Sequence, residues 1–273
     1  MAVLICIPSR LGSTRLPRKP LLPIAGKPLV AHVAERAREC QRAARIVVAT
    51  DSTEIAEAAR GCGVEVAMTD SALPSGTDRV AAVARDDGAL KDDDVVVNFQ
   101  GDQPLLPGAA LEGLIDVFTD GRVEMATLVS PLPVDDLHVP HTVKVVADRD
   151  RNALYFSRAA IPFVRDADAA DQAEFASHIG VYAYRRRTLL TLAATPPCPL
   201  EKAEMLEQLR ALWLGIRIRC VPLTTPAPFE INTPEDHARA EALFARAGGS
   251  GAKAYALLTA EGQERPTRRF WGG

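Results

Sequence analysis

The chain has 273 residues, 47% of them hydrophobic and 25% charged, with a formal net charge of −3. This is close to the globular average and excludes a disordered, collagen-like or coiled-coil chain; the charge excludes a whole-protein basic field for nucleic acid. No apolar run approaches the ~20 residues that cross a bilayer. The N-terminus lacks the basic region and small-residue cleavage site of a secretory signal, so a cytoplasmic protein is expected, away from membranes.

In chain order, strands are predicted at 3–7, 45–50, 64–68 and 95–99, each short, β-branched and bounded by polar or Gly/Pro residues. Between them, apolar spacing of the 3.6 type predicts helices over 29–43, 53–61 and 77–86. Strand and helix alternating at this spacing predict an α/β fold, a parallel sheet wrapped by helices. Beyond Pro107 the pattern loosens to a helix over 109–118 and strands at 125–129, 143–147, 153–156 and 178–184. An Ala/Asp-rich mobile loop or short helix is predicted over 165–176. A single helix is predicted over 201–213, on a stripe of Met205, Leu206, Leu209, Leu212 and Trp213. A strand at 217–222 follows. Thr233-Pro234-Glu235-Asp236 then opens a last helix with a near capping box. One domain is expected over 1–247, with 248–273 a flexible tail after GGSG.

Charge is unevenly spread. No Asp or Glu precedes Glu35, whereas Arg10, Arg15, Arg18, Lys19 and Lys27 do, a local +5. Most of these cations sit in the first βα junction, IPSRLGSTRLPRKPL, where open α/β sheets bind ligands. Forked and point cations, with the Ser13 and Thr14 hydroxyls and the turn at Gly12, suit a diphosphate or triphosphate. The loop is neither a Walker A sequence nor GxGxxG; a solvated basic loop is the plainer alternative. At the end of the fourth strand, NFQGDQP places Asp102 beside Gly101, a setting for a Mg²⁺ ligand or for a helix cap. LPSGTDR, residues 73–79, is by itself a helix N-cap. Five scattered cysteines show no zinc-ligand spacing.

RLGSTRLPRKPL, SGTDR, VNFQGDQPLLP, VKVV with ALYFSRAAIP, HIGVYAY, EMLEQLR and INTPEDHARA occur in this order. Together they resemble the 3-deoxy-manno-octulosonate (Kdo) cytidylyltransferases over roughly residues 3–246. The resemblance implies a Rossmann-like nucleotidyltransferase fold, with a mixed, mostly parallel sheet, in a homodimer. It implies transfer of CMP from CTP to an acidic sugar with Mg²⁺ and release of pyrophosphate. Carried over, Arg10, Ser13, Thr14, Arg15 and Lys19 match the triphosphate loop, with Arg15, Lys19 and Asp102 as the catalytic set. Ser75, Gly76 and Arg79 match the cytosine segment. Gln100, Arg158, His178, Tyr182, Glu207 and Gln208 match the sugar-acid positions, with His178 the one general-base candidate. Asp102 and Asn232 match the metal positions.

Two departures stand out. The family's Asp is Asn232 here, and its QGDEP is QGDQP, with Gln103 for the carboxylate. A His near the SGT loop is also absent, with Leu73 and Pro74 in that stretch. The expectation is a site with about two fewer negative charges near the acceptor. Transfer to a small phosphonate is therefore an alternative, and a non-catalytic nucleotide-binding protein a second one.

Overall fold

The computed structural model describes residues 1–12, 15–166, 174–223 and 227–262. Strands β1 (Val3–Ser9), β4 (Arg45–Thr50), β5 (Glu65–Met68) and β6 (Val95–Asn98) form the parallel half of the central sheet. A small hairpin of β2 (Pro23–Ile24) and β3 (Lys27–Pro28) precedes the first helix. The other half holds β7 (Met125–Pro131), β10 (Ala176–Arg185) and β11 (Ile218–Pro222). The order is β11-β7-β10-β6-β1-β4-β5. β10 runs antiparallel to both β6 and β7, so the sheet is mixed and mostly parallel. β8 (Lys144–Ala147) and β9 (Ala153–Ser157) form a flap that pairs with the start of β10.

The strands are apolar on both sides because helices cover both. Ile5, Ile7, Val48, Val95 and Val97 pack under α1 (Leu29–Arg38), α2 (Thr53–Gly61), α4 (Gly108–Asp116) and α8 (Pro234–Arg246). Their neighbours Leu4, Cys6, Val47 and Val96 face α3 (Gly76–Asp86), α5 (Arg186–Ala194) and α7 (Leu209–Trp213). This period-two division puts one sheet at the centre of two apolar layers.

β1 carries β4 on one flank and β6 on the other. The chain leaves β1 in both directions, which opens a crevice at the carboxyl ends of β1 and β6. Gly101 lets the two loops meet there, since a Cβ would lie 3.0 Å from Pro8 O and from Ser9 Oγ.

Two expectations are corrected. The helix predicted over 201–213 is broken into α6 (Pro199–Glu204) and α7, with Met205 left-handed at φ 54° between them. Arg158 sits at the break. Its Nε donates to Glu204 O at 2.8 Å and its Nη2 to Met205 O at 3.4 Å, and these tertiary bonds outweigh periodicity. Met205 and Trp213, placed on the apolar stripe, are 76% and 58% exposed. The tail predicted from 248 continues as α9 (Gly251–Gly262), with Ala254 buried and Leu257 and Leu258 on the core. Residues 263–273, like the centre of the 165–176 loop, lie outside the described residues.

Candidate active site

A cavity of about 1490 Å³ runs along the carboxyl edge, from Arg15, Gly76 and Gln100 across His178 and Tyr182 to Arg158 and Gln208. Asn232 and Glu230 line it at the β1–β6 end, and Lys19 lies behind Asn232. The Lys19 Nζ donates to Asp102 Oδ2 at 2.9 Å and to Asn232 Oδ1 at 3.1 Å. Asn232 precedes α8, and the capping box read from the sequence is formed. Thr233 Oγ1 accepts from Asp236 N at 3.2 Å, and Asp236 Oδ2 accepts from Thr233 N at 2.9 Å and Asn232 N at 3.0 Å. Ile231 N donates to Asp102 O at 3.1 Å, which ties the two loops together by backbone.

Glu230 belongs to this cluster and was missed in the sequence, where it reads as one polar residue before INTPED. Gln103 Nε2 donates to its Oε1 at 2.8 Å, and Asn232 Nδ2 donates to its Oε2 at 3.0 Å. Burial, with the Asp102 charge second, pushes its carboxyl up to about 7. The two amides at positions 103 and 232 thus flank one carboxylate. Both amides turn on a carboxylate that composition and spacing did not single out.

The five early cations are divided. Arg18 pairs with Glu54 on α2, and Lys27 pairs with Glu35 at 2.6 Å, so both serve the surface. Arg15 lines the cavity, and Arg10 is exposed at the end of β1. Ser13 and Thr14 lie outside the described residues. Ser75 caps α3, its Oγ accepting from Asp78 N at 3.2 Å. Gly76 starts that helix against Pro8 and Gln100. Arg79 is not brought to the cavity. It is 2% exposed and reaches inward, to Asp51 at 3.0 Å and to the Thr69 hydroxyl, so it braces the end of β4.

At the other end the polar groups are tied to backbone. Arg158 Nη1 donates to Pro140 O at 3.1 Å, in addition to its bonds to residues 204 and 205. Lys144 Nζ donates to Val139 O at 2.9 Å and Thr142 O at 2.7 Å. Glu204 accepts from Ser157 Oγ at 2.6 Å and from Arg158 N at 2.9 Å. His178 and Tyr182 share one strand face, ring centroids 5.3 Å apart, across an irregularity in β10. His178 Nε2 lies 3.0 Å from Thr127 Oγ1. Burial pushes its imidazole down to about 3, so it is neutral and is a poor general base. Glu207 is exposed on the cavity wall; Gln208 is buried there, with Nε2 unpartnered.

A nucleotide-sized crevice at a sheet's carboxyl edge, with a Lys–Asp pair at one end, has the layout of a nucleotidyltransferase. A family model described as cytidylyltransferase matches residues 4–218. The chain belongs to this family and is an enzyme that transfers a cytidylyl group from CTP. The 3-deoxy-manno-octulosonate cytidylyltransferase of Myxococcus xanthus is 46% identical over 243 residues, covering 89% of this chain and 96% of the relative. Its counterpart in Gemmatimonas aurantiaca is 48% identical over 244 residues, covering 88% and 93%. The structure of a CMP:2-keto-3-deoxy-manno-octonic acid synthetase complexed with CTP superposes with a TM-score of 0.84 at 38% identity, covering 90% of this chain and 100% of that one.

Proposed function

We propose that the protein couples CMP to a Kdo-type sugar acid with the help of Mg²⁺. The observation that carries the chemistry is the convergence of Lys19 and Asp102 on Asn232, which lines the cavity. The acceptor class follows the relatives, whose names specify 3-deoxy-manno-octulosonate.

The donor set fits a hard divalent cation. Asp102 Oδ1 is buried with no hydrogen-bond partner, and Ser9 Oγ nearby is in the same condition. Asp102 and the Asn232 amide oxygen would hold the ion. Among the described residues no three His, Cys, Asp or Glu side chains converge on a metal position. Substrate oxygens and water would have to complete its shell. Bound Mg²⁺ supplies charge stabilisation worth several kcal/mol to phosphoryl transfer.

In this reading Arg15 and Lys19 hold the β and γ phosphates, with Arg10, Ser13 and Thr14 completing the loop. Ser75 and Gly76 border the cytosine, and Arg79 holds that border in place from below. Gln100 stands beside Gly76 where the nucleotide meets the acceptor, Tyr182, Glu207 and Gln208 line the acceptor end, and Arg158 shapes it. The acceptor hydroxyl attacks the α-phosphorus in line. The new P–O bond forms as the bond to the β-phosphate breaks, pyrophosphate leaves, and the hydroxyl proton passes to solvent. The protein contributes position and preorganised charge, in which such transfers find most of their rate. A homodimer in the cytoplasm belongs to the same reading. No helix among the described residues is long and apolar enough to cross a membrane.

The test is pyrophosphate release from CTP with a panel of Kdo, other sugar acids and small phosphonates. Release with Kdo supports the proposal. Release with a phosphonate alone overturns the acceptor, and release with none overturns the catalytic reading.

A further inference from the structure

The carboxylate of Glu230 has an unusual harness. Two side-chain amides approach it from different segments, Gln103 from the loop after β6 and Asn232 from the entry to α8. Asn232 has no freedom in this arrangement. Its oxygen accepts from Lys19, so its NH₂ must face Glu230. The hydrogen bonds run unbroken from Asp102 through Lys19 and Asn232 to Glu230 and Gln103, whose backbone adjoins Asp102 again. This ring contains two carboxylates and one ammonium and lies where the triphosphate is to be held. Three of the polar atoms in and beside it are buried and unpartnered: Asp102 Oδ1, Gln103 Oε1 and Ser9 Oγ, with Gln103 1% and Ser9 4% exposed. Such atoms cost free energy until a ligand meets them. Two carboxylates beside buried oxygens that meet no donor make a donor set for a cation.

We propose that Glu230 is the second carboxylate of the cation site centred on Asp102, and that Gln103 and Asn232 position it through their amide NH₂ groups. The proposal rests on the reading of Asp102 given above. Asn232 then contributes a neutral oxygen, and the charge it lacks stands two residues upstream.

The probe is Mn²⁺ titrated into the unliganded protein and followed by electron paramagnetic resonance, with thermal unfolding recorded for every variant. Glu230→Gln keeps the shape and removes the charge, and Mn²⁺ affinity should fall about tenfold or more. The double variant Glu230→Gln with Asn232→Asp returns the charge at the neighbouring position and should recover to within about threefold of the native protein. If Glu230→Gln binds as native while Asp102→Asn does not, the Asp102 reading stands and Glu230 is no ligand. If neither variant changes Mn²⁺ binding, or the native protein takes up none at millimolar concentration, the cation reading fails and this proposal with it. If the double variant stays weak and both variants melt lower, Glu230 is only a strut between two loops, and the proposal is overturned.

Discussion

At the β1–β6 end of the cavity, the polar groups come from loops and pair with one another: Lys19 with Asp102 and Asn232, Asn232 and Gln103 with Glu230. At the β8–β10 end they come from β8 and the turn after β9 and spend themselves on backbone. Lys144 and Arg158 between them take the carbonyls of Val139, Pro140 and Thr142 and those of Glu204 and Met205. The first end keeps charge available to a ligand. The second uses charge to fix the shape of a wall. Substitutions at the first should therefore act on rate and phosphate affinity, and those at the second on stability and acceptor fit.

The largest effect is expected from Asp102→Asn, a fall in kcat of ~10² or more, because the ion's charge stabilisation depends on that carboxylate. CTP affinity, measured by calorimetry without acceptor, should suffer far less, since Arg15 and Lys19 remain. Near-native turnover would remove Asp102 from the metal site. Lys19→Ala comes next. Loss of one charge-assisted contact should weaken CTP about tenfold or more. CMP should be affected little, because it lacks the outer phosphates. Equal losses for both nucleotides would put Lys19 away from the β and γ positions.

Arg158→Ala tests the other end. Its backbone bonds are lost from a half-buried side chain, a cost of about 2 kcal/mol, or roughly 4–8 °C in Tm for a chain of this size. The acceptor KM should rise as the 139–142 rim loosens, while CTP affinity stays native. A variant with native Tm and a CTP defect would merge the two ends and break the comparison.

The same contrast explains how much of the molecule could be read from its sequence. The parallel half was legible because each strand and helix is local: 45–50 and 53–61 match β4 and α2 to the residue. Lys19 and Asp102 could be placed at one sheet edge for the same reason, since their loops follow the neighbouring strands β1 and β6. Glu230 was not legible. Its meaning comes from Gln103, 127 positions away, and no spacing rule reaches that far. The broken helix at 201–213 failed likewise, since Arg158 lies 46 positions from Glu204 and takes the carbonyl that periodicity assigns to the helix. Arg79 shows the reverse error. By the family resemblance SGTDR belongs to the cytosine segment, yet its arginine points under the sheet edge to Asp51 and Thr69.

The smallest effect is expected at His178, the one residue of the wall that could have been mistaken for chemistry. Its native pKa is pushed from 6.5 down to about 3 by burial. Between those values the unfolded chain binds a proton that the native chain refuses. Stability should therefore fall as pH drops from about 6.5 toward 3, and not above. His178→Gln keeps a partner for Thr127 and removes this titration, so urea unfolding of the variant should be less sensitive to acid across that window. Its kcat/KM should follow the native profile from pH 6 to 9 within about twofold, because an imidazole neutral throughout that range contributes no inflection. Loss of an acid limb near neutrality in the variant would mean that the ring exchanges protons with the acceptor. His178 would then belong with Asp102 and Lys19 rather than with the wall.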